Sequence, residues 1–268
     1  MNLDRKKMFT WLFCLSFAGL LQAQKEVYLN PNAISQVRFS MTPAFYSPLE
    51  IESEGVSILQ SDVNFSGELT ITFTQMIWNG FGIDGGMGYT MIPYNFTYDF
   101  EAAPGSPIDE GTPAGFSNNY SSAPRTDFED AYNFPLTLVK IFPLKGKDHL
   151  YLNFAAGIKY NIPVNYPVHT TGGSSVGVGI GESIHFLTYE HGSGDIKNYI
   201  SYNFKAGVIN FNKRSNSFHC NLVCQYTPST LLTGTFEFHD IGYPSKGTLA
   251  MRNNFIGLEL SYGLTLGK

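Results

Sequence analysis

The chain has 268 residues and a formal net charge of −5, with 43% of its residues hydrophobic and only 15% charged. An acidic chain without a basic stripe argues against nucleic acid as a partner. After residue 23 no segment has 18 consecutive apolar residues, which excludes helical membrane spans.

Arg5, Lys6 and Lys7 precede an apolar run from Met8 to Leu21, and Leu21-Gln22-Ala23 offers a small residue just before Gln24. This is the plan of a cleaved signal peptide. The alternative, a membrane anchor, needs roughly 18 to 20 apolar residues, and the run is shorter. No Cys stands at the cut, which argues against a lipoprotein. Residues 1–23 are expected to be a signal peptide and 24–268 a single outer-membrane β-barrel domain. Cleavage removes Asp4 and three bases, so 17 Lys+Arg and 22 Asp+Glu become 14 and 21, a net charge of −7. Cys14 leaves with the leader. Cys220 and Cys224 stand four residues apart on one predicted strand, about 13 Å at strand rise, beyond the reach of a disulfide.

In the rest of the chain, period-two alternation dominates. Eight strands are predicted near 34–46, 64–78, 81–97, 131–143, 149–162, 197–211, 217–228 and 252–267, with ten as the alternative count. Alternation is cleanest from Leu150 to Ile162 and from Ile256 to Leu266, where an apolar set alternates with a small or polar one. Asn79-Gly80, Leu144 to Asp148 and Asn212 to Asn216 are short turns. The other connections, 47–63, 98–130, 163–196 and 229–251, are long. Short and long alternate strictly, as in outer-membrane barrels with short periplasmic turns and long outer loops. The expected fold is therefore all-β: an antiparallel up-and-down transmembrane barrel in the cell outer membrane. With 27 Gly, 16 Tyr and 22 Phe, the composition suits it. Tyr89, Tyr94, Phe96, Tyr160, Tyr199, Tyr202 and Tyr226 are expected at the outer rim. Trp78, Phe81, Phe142, Phe211, Phe218 and Tyr262 are expected at the periplasmic one.

The charges give a separate check. Arg38, Glu68, Asp84, Lys159, Lys205 and Glu259 each fall on the face opposite an apolar stripe, because a charge on the lipid side costs a few kcal/mol near the midplane. Counting along the strands places Arg38 and Asp84 near the periplasmic end, Lys205 and Glu259 near mid-height, and Glu68 and Lys159 near the outer end. Three cations and three anions in a narrow interior are expected to form a stack of ion pairs that plugs the lumen. Lys140 breaks the pattern, since it shares a face with Phe134, Leu136 and Leu138. Either a bulge changes phase there or Lys140 snorkels to the periplasmic rim.

The ending Leu21-Gln22-Ala23-Gln24 of the leader and the run Asn254-Phe255-Ile256-Gly257-Leu258-Glu259-Leu260-Ser261-Tyr262-Gly263-Leu264 resemble Bacteroidota-type outer-membrane barrel proteins, grouped with OmpA/OmpX-like transmembrane barrels. Gly234-Thr235-Phe236-Glu237-Phe238 is an approximate match. The resemblance implies a location, a fold and insertion by the barrel-assembly machinery, and it implies no shared reaction. Such barrels often end in an aromatic that this machinery reads. Here the chain ends Leu266-Gly267-Lys268, and the nearest aromatic is Tyr262.

No residues are assigned to catalysis, to a cofactor or to a metal. His191 and Ser193, with Glu190 adjacent, have the residue types that lipid A deacylases use, but the segment reads as a plain Gly-rich turn. His149, His169, His185, His191, His219 and His239 show no metal spacing. Gly172 to Gly181 (GGSSVGVGIG) lacks the Lys and the strand-then-helix context of a phosphate cradle, and reads as a flexible loop. Asp99, Glu101, Asp109, Glu110, Asp127, Glu129 and Asp130 read as a solvated acidic loop, with divalent cations shared with lipopolysaccharide as the sharper alternative. The expected function is a structural or surface-binding barrel with a filled, charge-paired lumen. Its expected partners are outer-membrane lipid, lipopolysaccharide and an unidentified ligand of the outer loops. The alternative is an envelope-lipid-modifying enzyme of the lipid A deacylase kind. A pore is disfavoured, because side chains fill an eight-stranded interior.

Overall fold

The structure, a computed structural model, describes residues 34–112, 117–123, 125–145, 147, 149–164, 169–177, 183–192, 198–212 and 215–266. The expected signal peptide lies outside these residues. In chain order the elements are β1 (Ser35–Tyr46), β2 (Glu50–Gly55), β3 (Leu59–Gln60), β4 (Asn64–Trp78), β5 (Phe81–Glu101), the short helix α1 (Pro107–Gly111), β6 (Asn119–Ser121), β7 (Arg125–Pro143), β8 (Leu150–Pro163), β9 (His169–Gly177), β10 (Ser183–Gly192), β11 (Tyr199–Phe211), β12 (Ser217–Tyr226), β13 (Leu232–Phe238), β14 (Ser245–Met251) and β15 (Phe255–Thr265).

Eight of these strands make a closed antiparallel barrel. Their order is β5-β4-β1-β15-β12-β11-β8-β7, and β7 returns to pair with β5. From Tyr89 the cross-strand partners run through Leu69, Met41, Leu260, Cys220, Val208 and Leu152 to Phe142. That path re-enters β5 level with Asn79, ten residues below its start. A stagger of this size tilts the strands by about 40° and leaves an interior only wide enough for side chains. The β4–β5 turn is Asn79-Gly80, with φ of 44° and 74°, the primed geometry that follows strand twist. A Cβ on Gly80 would lie 2.6 Å from the Ile141 carbonyl oxygen.

Alternation decides which side chains enter the lumen. On β8, Tyr151, Asn153, Lys159 and Asn161 are buried, whereas Phe154, Ile158 and Tyr160 are exposed. On β15, Phe255, Glu259 and Ser261 are buried, and Ile256, Leu258 and Tyr262 face outwards. A lipid-restricted probe is therefore expected to label Cys placed at Leu258, and a water-soluble probe should not. At Ser261 neither should react rapidly, because only 2% of the residue is accessible. Free aqueous labelling at Leu258 in vesicles would overturn the outward assignment.

The outward surface is a continuous apolar band that includes Phe39, Ile71, Phe73, Leu136, Leu138, Phe204, Leu222 and Leu264. On a barrel whose polar side chains are gathered inside, such a band is the face of a wall immersed in hydrocarbon. Four expected rim aromatics depart from it. Tyr94, Tyr199 and Phe211 are 4–6% exposed and point inwards, because their phase on the strands belongs to the lumen set. Phe96, two residues beyond Tyr94 on the same face of β5, is partly buried and packs against Tyr189 of the cap. Lys140 is explained by snorkelling. The β5–β7 register is constant from Phe81↔Lys140 to Gly88↔Asn133, so no bulge intervenes.

The long connections are more ordered than the sequence suggests. β5 and β7 run past the expected limits of 97 and 131, out beyond the barrel rim. A second antiparallel sheet, β2-β14-β13-β10-β9, is built from three separate long connections. Its buried side, carrying Phe186, Leu187, Phe236 and Phe238, packs against Leu59, Phe100, Ala102 and Ile108. These come from β3, the extension of β5 and α1, whose first turn is capped by Ser106 accepting from the Asp109 N–H at 3.2 Å. Phe100 meets Tyr120, Phe186 and Phe238 with ring centroids 5.4–5.7 Å apart. The outer connections thus form a cap with its own aromatic core.

Candidate functional site

The lumen has three layers. At its periplasmic end Ile34, Met76, Val139, Ile141, Tyr151, Ile209 and Phe211 close into an apolar cluster. At the outer mouth Tyr46, Ile92, Tyr94, Tyr199 and Phe255 of the barrel pack with Leu232, Leu249 and Met251 of the cap. Between these two seals lies the polar layer.

The structure brings all six lumen charges together as three pairs. Arg38 pairs with Asp84, which also accepts from Thr74 Oγ1 at 3.0 Å. Lys159 Nζ donates to both oxygens of Glu68 at 2.7 Å. Glu68 Oε2 further accepts from Thr90 Oγ1 at 2.9 Å and Asn133 Nδ2 at 3.3 Å. Lys205 pairs with Glu259, whose other oxygen accepts from Asn221 Nδ2 at 2.8 Å. Asn221 Oδ1 in turn accepts from Asn153 Nδ2 at 2.9 Å. Gly207 leaves room for this arrangement, since a Cβ there would lie 2.5 Å from Asn221 Oδ1. Each pair joins strands that are not neighbours in the barrel: β1 with β5, β4 with β8, and β11 with β15. Each carboxylate keeps neutral donors beside its cation, as a buried charge requires.

One Ser–His contact escaped the sequence reading. Ser217 and His219 are both inward and buried on β12, with Oγ and Nε2 2.7 Å apart. Ser217 Oγ donates to Gln36 Oε1 at 2.9 Å, and Gln36 Nε2 donates to the Ser215 carbonyl at 3.1 Å, which fixes the amide. His219 Nε2 therefore carries the proton and donates to Ser217, so it is no base for that hydroxyl. Ser217 is fully buried, and the pair serves as a lumen brace. The signal was available as strand alternation through Ser217, His219 and Asn221.

His191 does not lie in a turn. It belongs to β10, is 3% exposed and packs edge-on against Tyr94 and stacked on Tyr189. Glu190 points to the opposite, exposed face, and Ser193 lies outside the described residues. Gly172 to Gly177 belong to β9 and are no free loop, while residues 178–181 lie outside the described residues. The acidic residues of 98–130 are spread over β5, α1 and β7. Asp109 accepts from the Gly105 N–H at 2.7 Å and from Asn118, so it serves the α1 turn. Among the described residues no group of three or more His, Cys, Asp or Glu could hold a metal ion. Glu129, three residues beyond Tyr132, the partner of the rim residue Tyr89, is pushed up to about 7 by burial and then by Asp130 and Asp127.

The cap's exposed face is the other candidate surface. Thr171, Glu190, Thr235 and Thr248 form one cross-strand row, and Thr188, Glu237, Lys246 and Glu54 form the next. Together they border a shallow polar recess of about 510 Å³. Lys246 lies 3.5 Å from Glu54, and His239 Nε2 lies 3.0 Å from Thr188 Oγ1.

No family model matches the chain, and no curated protein does. Among solved structures it is similar to the outer membrane protein OprG from Pseudomonas aeruginosa, at 10% identity over 88% of this chain and 99% of that one, TM-score 0.38. It is similar also to a major outer membrane protein from Thermus thermophilus, at 14% identity over 87% and 99%, TM-score 0.37. A third is the outer membrane protease OmpT from Escherichia coli, at 10% identity over 90% and 99%, TM-score 0.32. The barrel's own closure, its apolar outer band and its one-sided long connections make this chain a transmembrane β-barrel of the outer-membrane type.

Proposed function

We propose that the protein is a non-conducting, non-enzymatic outer-membrane barrel that presents its folded cap to the cell exterior for a structural or surface-binding role. The observation that carries this reading is the double seal. Apolar clusters close the lumen at both ends, and three ion pairs fill the space between. Water and ions cross only where polar groups replace their hydration, and an apolar constriction gates by dewetting. The threonine and glutamate rows of the cap support the binding half of the proposal, because they present hydroxyls and carboxylates on the exposed face, away from the aromatic core.

The test has two parts. Native protein in planar bilayers is expected to give no steady conductance. Lipid A from cells with and without the protein is expected to have the same acylation by mass spectrometry. A stable open level would refute the sealed lumen, and a reproducible loss or transfer of an acyl chain would favour the lipid-modifying enzyme.

A further inference from the structure

Between the two aromatic rims, Lys140 is the one cation among the described residues that points out of the barrel. It has no carboxylate partner among them. Its Nζ donates to the Asn79 carbonyl at 2.5 Å and lies 3.8 Å above the Phe81 ring and 5.2 Å from the Phe142 ring. An ammonium held by one carbonyl and two rings keeps an unneutralised charge at headgroup depth.

An apolar trough of about 750 Å³ leads away from it. The trough follows two adjacent rows of cross-strand partners. Lys140, Phe154, Ala206 and Leu222 form one row, and Leu138, Ala156, Phe204 and Cys224 the other. Ala156 and Ala206 lower its floor between larger flanking side chains, and Trp78 and Phe81 border its lower end. Because the strands tilt, the rows climb from the periplasmic end of β7 to the middle of β12. That path starts at the headgroups of the periplasmic leaflet and ends near the midplane.

The charge distribution selects the leaflet. The short turns carry Lys145, Lys147, Lys213 and Arg214 against Asp148 alone. The first long connection, 47–63, carries Glu50, Glu52, Glu54 and Asp62 with no base, and 98–130 carries seven acids against Arg125. The periplasmic rim therefore attracts anionic headgroups and the outer surface repels them.

We propose that Lys140 and this trough form a binding site for an anionic glycerophospholipid of the periplasmic leaflet. The ammonium holds the phosphate, and one acyl chain lies along Ala156 and Ala206. This rests on the chain spanning the membrane and is independent of what the cap binds.

Trp78 borders the trough and is one of two tryptophans in the sequence. Trp11 falls in the expected leader, and a Trp11→Phe background makes Trp78 the single indole whether or not the leader is removed, so its fluorescence reports the site. The full chain in that background would be reconstituted into phosphatidylcholine vesicles. A small fraction of brominated phosphatidylglycerol, or of brominated phosphatidylcholine with the same chains, would then be added. One lysine at a membrane surface contributes about 1 kcal/mol, so phosphatidylglycerol is expected to quench about five-fold more effectively per mole. Lys140→Gln should bring the two lipids to parity and Lys140→Arg should keep the preference, with heat-modifiable gel mobility checking the fold. In the native protein, added salt should erode the preference. Equal quenching by both lipids in the native protein, or a preference that survives both Lys140→Gln and high salt, would overturn the proposal. Equal quenching would leave the band described above intact, with ordinary annular lipid against it.

Discussion

Replacing Glu68 with Leu is expected to cost about 3–5 kcal/mol of unfolding free energy, and adding Lys159→Met to recover most of that loss. The single change leaves an ammonium whose side chain is 2% exposed without its counter-charge. It also leaves the hydroxyl of Thr90 and the amide of Asn133 without their acceptor. The double change removes the charge that needed neutralising and puts two apolar side chains next to Tyr46 and Phe255. Urea unfolding in detergent micelles, as a double-mutant cycle, measures the coupling directly. Losses that simply add would show that the two charges act independently. Lys205 and Glu259 give the same cycle with a smaller expected coupling, because the Lys205 side chain is more open, at 9% against 2% for Lys159.

A Phe100→Ala variant separates the cap from the barrel. Phe100 is 6% exposed in the aromatic core of the cap and makes no part of either lumen seal. Deleting a buried Phe side chain costs about 3–5 kcal/mol, and the loss should fall on the cap alone. The variant is expected to keep heat-modifiable mobility while its outer connections become open to added protease. Loss of the folded barrel band on the gel would show that barrel and cap unfold as one unit.

How much of this was legible depends on what each strand faces. The β4 span 64–78 is readable because lipid on one side and a packed lumen on the other impose alternation from Glu68 to Ile77. The heights of the six lumen charges follow from the same counting, and the structure joins those at matching heights. The cap follows different rules. β10 carries an irregularity between His185 and Leu187 that turns Phe186 and Leu187 both inwards, so the period of two is lost where the core is made. β2 (EIESEG) offers one large apolar residue in six, and after His169 β9 is built from Thr, Gly and Ser with a single Val. Their partners lie far away in sequence, so local pattern marks neither as a strand. Tyr94 and Tyr199 depart from expectation for a related reason. A tyrosine near a strand end fits a rim by composition, and only its phase shows that it turns inwards.

The pairing of the first and last barrel strands bears on the order in which the molecule is made. β1 with β15 is the join that closes the ring, and directly above it β2 pairs with β14. Ser47 and Asn254 carry a backbone hydrogen bond of 3.0 Å across the gap between the two pairings. The join is thus stitched a second time, outside the membrane. With the cap on the exterior, as proposed above, residues 50–55 and 245–251 must both cross the membrane before that stitch can form, which makes it a late event in assembly. Once made, it acts as a clasp. Parting β1 from β15 then requires releasing six further residue pairs beyond the reach of any periplasmic factor, and escape from the finished barrel is slowed from the outside.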